Sequence, residues 1–170
     1  MRIRFIDARY PGASHDAHIW GISEAKAIMQ RSYLSGKRNT WLLGDAGYAL
    51  EPYLMTPFRA STNNTPKSNY NSVHAKARNI VERTFGVLKN RFRCLLSALQ
   101  LHYDPHKATV IANVCAALHN ICIEYGAPNL IMESPPSDPL PNLNESEVDN
   151  ENENQLAAGI RMQIMNSLNQ

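Results

Sequence analysis

A chain of 170 residues, 44% apolar and 19% charged, has room for one globular core and little more. No apolar run approaches the ~20 residues of a membrane helix, and the strand-like opening Met1-Arg2-Ile3-Arg4-Phe5 does not read as a signal peptide. The net charge of +2 divides unevenly: residues 1–126 carry sixteen Lys and Arg against eight Asp and Glu, while residues 127–170 carry only Arg161 against seven acids. The first part is the candidate polyanion binder, and the second reads as an acidic tail.

Residues 2–8 alternate loosely and predict a strand, ended by Pro11-Gly12. Ser23 suits the cap of a helix running to Leu34, with Ala25, Ile28, Met29 and Tyr33 on one face and Gly36 just past the end. Trp41-Leu42-Leu43 is a short continuous apolar run, the pattern of a strand buried on both faces. Leu50 to Phe58, broken by Pro52 and Pro57, allows at most a short edge strand, and residues 60–69 read as a polar loop. From Asn71 to about Leu96 the spacing predicts the longest helix, with Val73, Ala77, Ile80, Val81, Leu88, Phe92 and Leu95 as its apolar stripe.

The next helix has the clearest punctuation. Asp104 is its predicted N-cap, Pro105 its first turn and Gly126 its stop, with an apolar face of Val110, Ile111, Val114, Leu118, Ile121 and Tyr125. Residues 127–154 are rich in Pro, Asn and Glu and are expected to be disordered. Leu156, Ile160, Ile164 and Leu168 recur every four residues and suggest a short terminal helix within 155–170. Cys94, Cys115 and Cys122 lack zinc-type spacing and read as buried free thiols in a reducing compartment. The element order is α/β, with too few strands for a complete sheet.

Two carboxylates stand out. Asp45 closes the buried strand, and ligand crevices of open α/β sheets lie beyond the carboxyl ends of strands. Asp45 is therefore placed to bind metal, or else is a turn aspartate bonded to the amides beside Gly47. Glu82 is the only acid between residues 52 and 103, among six bases between 76 and 93. His74, Arg78 and Glu82 are spaced four apart, with Lys89 and Arg93 continuing the face; an ordinary Arg78–Glu82 surface pair is the alternative. Two carboxylates can hold divalent metal while Lys and Arg hold phosphate. His15, Asp16 and His18 form a weaker candidate metal cluster; Asp16 as a helix cap after Pro11-Gly12 is the preferred reading.

Taken in order, several stretches resemble the DDE nuclease domain of PIF/Harbinger transposases and the nucleases derived from them. These are Tyr10 to Asp16 (YPGASHD), Trp41 to Tyr48 (WLLGDAGY), Leu54 to Pro57 (LMTP), Tyr70-Asn71 with His74 and Arg78, Val81 to Gly86 (VERTFG), Leu88-Lys89, Arg91 to Leu95 (RFRCL) and Leu118 to Asn120 (LHN). The resemblance implies an RNase H-like fold and a triad of two Asp and one Glu that binds Mg²⁺ or Mn²⁺. Asp45 then matches the second acid and Glu82 the third, and Arg78, Lys89, Arg91 and Arg93 become the expected DNA phosphate contacts. His15, Asp16 and His74 are accessory candidates. Nothing in the sequence matches the family's first Asp, which lies on an earlier strand, so the resemblance covers the C-terminal part of such a protein. Residues 1–126 are thus expected to form an incomplete nuclease domain, inactive alone, acting on DNA in the nucleus or else located in the cytoplasm. The resemblance also implies a separate Myb/SANT-like DNA-binding partner. A non-catalytic nuclear remnant that binds DNA or protein is the alternative.

Overall fold

Ser23 ends one helix and starts the next. Its hydroxyl donates to the Trp20 carbonyl and accepts from the Lys26 amide, so one buried side chain satisfies orphan groups of both helix ends. Helix α1 (Asp16–Ile22) and helix α2 (Glu24–Leu34) meet at that cap, and Gly36 takes a positive φ of 97° just beyond. The computed structural model describes residues 1–10, 14–96, 103–128 and 154–169. It is mixed α/β and mostly helical, with one short parallel sheet in which strand β1 (Leu42–Leu43) pairs with strand β2 (Leu54–Met55). Helix α3 (Pro66–Arg91), a 3₁₀ turn at Arg93–Leu95, helix α4 (Pro105–Glu124) and helix α5 (Gln155–Ser167) complete the described elements.

The chain divides into two compact units: Gly12–Asn79 with Asn150–Gln170, and Met1–Pro11 with Ile80–Asp149. In the unit holding the sheet, Trp20, Tyr53 and Leu54 form one apolar cluster with Ala25, Met29, Tyr33 and Tyr48 against it. Leu50, Met55 and Ala157 form another, flanked by Trp41, Ile160 and Ile164. Helix α5 thus supplies core to the sheet. Its buried line is Ala157, Arg161 and Met165, one residue round from the predicted stripe, and Leu156 and Leu168 are exposed. Ala157 is fully buried because it has no bulk to hold the helix away, and the Arg161 guanidinium stacks over the Phe58 ring at 4.1 Å.

Glu51 ties the same unit together. It accepts from Trp20 Nε1 at 3.1 Å and from Lys26 Nζ at 2.8 Å, joining the two first helices to the segment that enters β2. The segment 50–56 is buried, where only a short edge strand was expected, because α5 and the first helices cover it. Conversely, Leu42 and Leu43 are 38% and 40% exposed, so β1 is not buried on both faces. A continuous apolar run signals a wish for neighbours and does not supply them.

In the other unit, residues 2–8 do not form the predicted strand. They are held along α4 by side chains in place of a ladder. Asn120 accepts from the Ile3 amide and donates to its carbonyl, both at 2.8 Å. His119, fully buried, donates Nε2–H to the Met1 carbonyl at 3.0 Å, and the Thr109 hydroxyl donates to the Ala8 carbonyl. Asp104 caps α4 by accepting from the His106 amide, as its position before Pro105 predicts. The buried residues of α4 are Cys115, Ala116 and His119, while Val110, Val114, Leu118, Ile121 and Tyr125 of the predicted apolar face are exposed. Periodicity located that face correctly as a face, but not as core. The predicted disorder of the acidic segment lies mostly outside the described residues.

Candidate functional site

The site is built where β1 ends. Gly44 is buried, and a Cβ there would meet the Tyr48 ring at 3.1 Å, so a side chain at this position would crowd the ring. Asp45 then opens a tight turn: its Oδ1 accepts from the Gly47 amide at 2.9 Å, and a Cβ at Gly47 would sit 3.1 Å from the same oxygen. The spacing Gly-Asp-Ala-Gly-Tyr is therefore a device that fixes one carboxylate oxygen and leaves the other directed away. That second oxygen, Oδ2, lies 3.5 Å from the Arg78 guanidinium, with both side chains about one-third exposed. The turn reading of Asp45 is met by Oδ1, while Oδ2 faces the Arg78 guanidinium.

Arg78 reaches Asp45 because α3 is riveted to the β2 segment at successive turns. The Tyr70 hydroxyl donates to the Thr56 carbonyl at 3.4 Å. Asn71 accepts from the Phe58 amide and donates to its carbonyl, at 2.8 and 2.9 Å. His74 is buried and donates Nε2–H to the Met55 carbonyl at 3.1 Å. Burial lowers the His74 pKa below the usual imidazole range, and the nearby Arg78 charge acts in the same direction, against the Met55 hydrogen bond and Asp45. His74 thus holds the helix that carries Arg78. The spacing 70, 71, 74, 78 marks this one face, and its regularity was the available signal for a structural role.

Tyr48 was not singled out by sequence reasoning. Its phenol pKa is raised by burial first and then by the charges of Asp16 and Asp45. Trp20 packs edge-on against that ring at 6.4 Å. Asp16 is exposed in the first turn of α1 and is not its cap, since His15 takes the N-cap position without a side-chain hydrogen bond; His15 and His18 are exposed as well. Among the described residues no group of three His, Cys, Asp or Glu side chains could hold a metal ion.

Glu82 is exposed on α3 in the other unit, whereas Asp45 belongs to the unit that holds the sheet. Lys89 is exposed on the same helix. Helix α3 begins at Pro66 and ends at Arg91, earlier at both ends than the predicted 71–96, and Phe92 leaves helical geometry at φ −118°. Arg93 is consequently on the 3₁₀ turn and does not continue the helix face. Arg91 donates to His119 Nδ1 at 3.4 Å and to the Ala127 carbonyl at 3.3 Å, so this expected phosphate contact is engaged with α4 and with the backbone just past its end. The stripe residues Val73, Ile80 and Val81 are exposed, and Leu88 is buried.

Comparison with known proteins bears on these motifs together. The model of the DDE superfamily endonuclease family matches residues 1–120. "Putative nuclease HARBI1" of Homo sapiens is 32% identical over 169 residues, covering 94% of this chain and 45% of the relative. The protein of that name in Xenopus laevis is 36% identical over 112 residues, covering 62% and 32%. "Protein ALP1-like" of Arabidopsis thaliana is 26% identical over 134 residues, covering 72% and 33%. The chain spans less than half the length of these relatives, and no solved structure matches it.

Proposed function

Since the chain belongs to the DDE superfamily endonuclease family, we propose that it forms part of a Harbinger-type, metal-dependent DNA nuclease with an RNase H-like fold. The observation that carries this reading is the family match over residues 1–120, with Asp45 held by its turn at the end of β1. In this reading Asp45 and Glu82 are two of the acids that hold Mg²⁺ or Mn²⁺. Such a metal, when bound, supplies an activated water for attack on a phosphodiester. Asp45 fits the role in part: one oxygen is fixed by Gly47, and the other already faces a cation, Arg78. The described residues do not complete a metal site, so no cleavage step is assigned to this chain alone. The same reading includes a nuclear location and a separate Myb/SANT-like DNA-binding partner.

The test is plasmid nicking by the purified chain in Mn²⁺. No nicking above the Asp45→Ala background is expected, because Mg²⁺ and Mn²⁺ sites with too few protein oxygens are weak. Robust nicking lost in Asp45→Ala would mean that the chain carries a complete site. A second reading, a non-catalytic DNA- or protein-binding domain, draws on the same lack of a three-ligand group among the described residues. Restored nicking on addition of the remainder of a full-length relative separates the two, since the non-catalytic reading allows none.

DNA contact gives an independent expectation. Lys89 is exposed one residue from buried Leu88, so the helix separates the two roles at adjacent positions. Leu88→Ala is expected to cost roughly 2–5 kcal/mol of stability. Lys89→Ala with Arg93→Ala is expected to leave the melting temperature nearly unchanged. It is also expected to weaken duplex binding regardless of sequence, flattening the salt slope by about one unit per contact removed. Unfolding by Lys89→Ala with unchanged binding per folded molecule would reverse this assignment.

A further inference from the structure

Two thiols far apart in sequence meet in the unit that holds α4. Cys94 lies on the 3₁₀ turn after α3 and is exposed; Cys115 is buried in α4. Their sulfurs are 4.0 Å apart. The expectation of three buried thiols therefore fails at Cys94, which is exposed.

We propose that Cys94 and Cys115 are a redox-modification site, which a peroxide converts to an intramolecular disulfide tying the turn after α3 to α4. A disulfide needs its sulfurs about 2.05 Å apart, and the exposed position of Cys94 on a single 3₁₀ turn leaves its side chain able to rotate toward Cys115. Burial, together with the neighbouring Cys94, holds the Cys115 thiol up at about 11, so Cys115 stays protonated and Cys94 is the sulfur that meets the oxidant. The Cys94 thiolate attacks one peroxide oxygen, breaking the O–O bond. This gives a sulfenic acid, and the leaving hydroxide takes up a proton as water. The Cys115 sulfur then attacks the sulfenic sulfur; the S–S bond forms as the S–O bond breaks, and the hydroxyl leaves as a second water with the Cys115 proton. One peroxide is reduced by two electrons, and two thiols are oxidised to one disulfide. Cys122, on the same helix and half-buried, is an internal control.

The test treats the reduced full chain with one equivalent of hydrogen peroxide, blocks remaining thiols with N-ethylmaleimide and maps non-reduced peptides by mass. The expected product has lost two hydrogen atoms, links the Cys94 and Cys115 peptides, carries one maleimide on Cys122 and reverts with dithiothreitol. The link is expected to persist in Cys122→Ser, to vanish in Cys94→Ser, and to form more slowly in urea, where the fold no longer brings the sulfurs together. Cys94→Ser changes an exposed position, so the result does not depend on a core variant folding. Three outcomes overturn the proposal: Cys94 driven to sulfinic acid while Cys115 remains alkylatable, a link to Cys122, or equal rates in urea and buffer.

Discussion

Deleting residues 155–170 is expected to unfold the unit that contains the sheet. Helix α5 covers Leu50 and Met55 with Ala157, and Ile160 and Ile164 pack beside them. Met55 is 1% exposed, so losing the helix returns a fully buried side chain and much of its surroundings to water. At roughly 1.5–3 kcal/mol per large apolar side chain, the loss exceeds about 5 kcal/mol, which rivals the whole stability of a small domain. Arg161 adds its stacking on Phe58 and its bond to the Pro57 carbonyl. Ala157→Asp is the point version, because it places an unpaired carboxylate where nothing reaches water. A melt followed at Trp20 and Trp41 decides it: a midpoint within a degree or two of the intact chain would show that α5 contributes nothing.

Glu51→Gln is expected to cost about 2–3 kcal/mol. Removing one partner of a fully buried pair costs roughly 3–5 kcal/mol; here the Glu51 and Lys26 side chains are 15% and 29% exposed, which lowers the figure. Burial alone would raise the Glu51 pKa, but the hydrogen bonds from Lys26, Tyr53 and Trp20 outweigh it and leave it below the usual carboxylate range. A group with a lowered native pKa stabilises the fold above its unfolded value and loses that contribution as pH falls through the native one. His74, lowered by burial, follows the same sign at higher pH. Stability should therefore decline first as pH falls below about 6.5 and again below about 4.5. Glu51→Gln should abolish the second decline and spare the first. Urea midpoints across that range check it; an acid profile unchanged by Glu51→Gln would mean the pair is not formed in solution.

Punctuation was legible in the sequence, and partnership was not. Ser23 and Asp104 cap where their side chains and the following residues say they should, because capping is settled within a few residues. The Gly44-Asp45-Ala46-Gly47-Tyr48 turn was legible for the same reason. The segment 2–8 has the alternation of a strand, yet a strand exists only with a neighbour, and here Asn120 and His119 take the backbone groups a ladder would have used. The Asp45–Arg78 pair joins positions 33 apart, and no local rule predicts it. The register of α5 was missed because Ala157 and Arg161 do not score as apolar anchors, although a small residue and a stacked guanidinium pack as well as larger ones.

We propose that Asp45 and Glu82 are metal-binding acids of an endonuclease domain. Mn²⁺ titrated into the ¹⁵N-labelled chain with a short duplex, read as paramagnetic broadening of amides, tests it directly. Weak broadening is expected, centred on Gly44–Tyr48 and on Val81–Arg83, and lost at the first in Asp45→Asn and at the second in Glu82→Gln. Broadening confined to the acids of residues 133–153, with both of those segments unaffected, would contradict it.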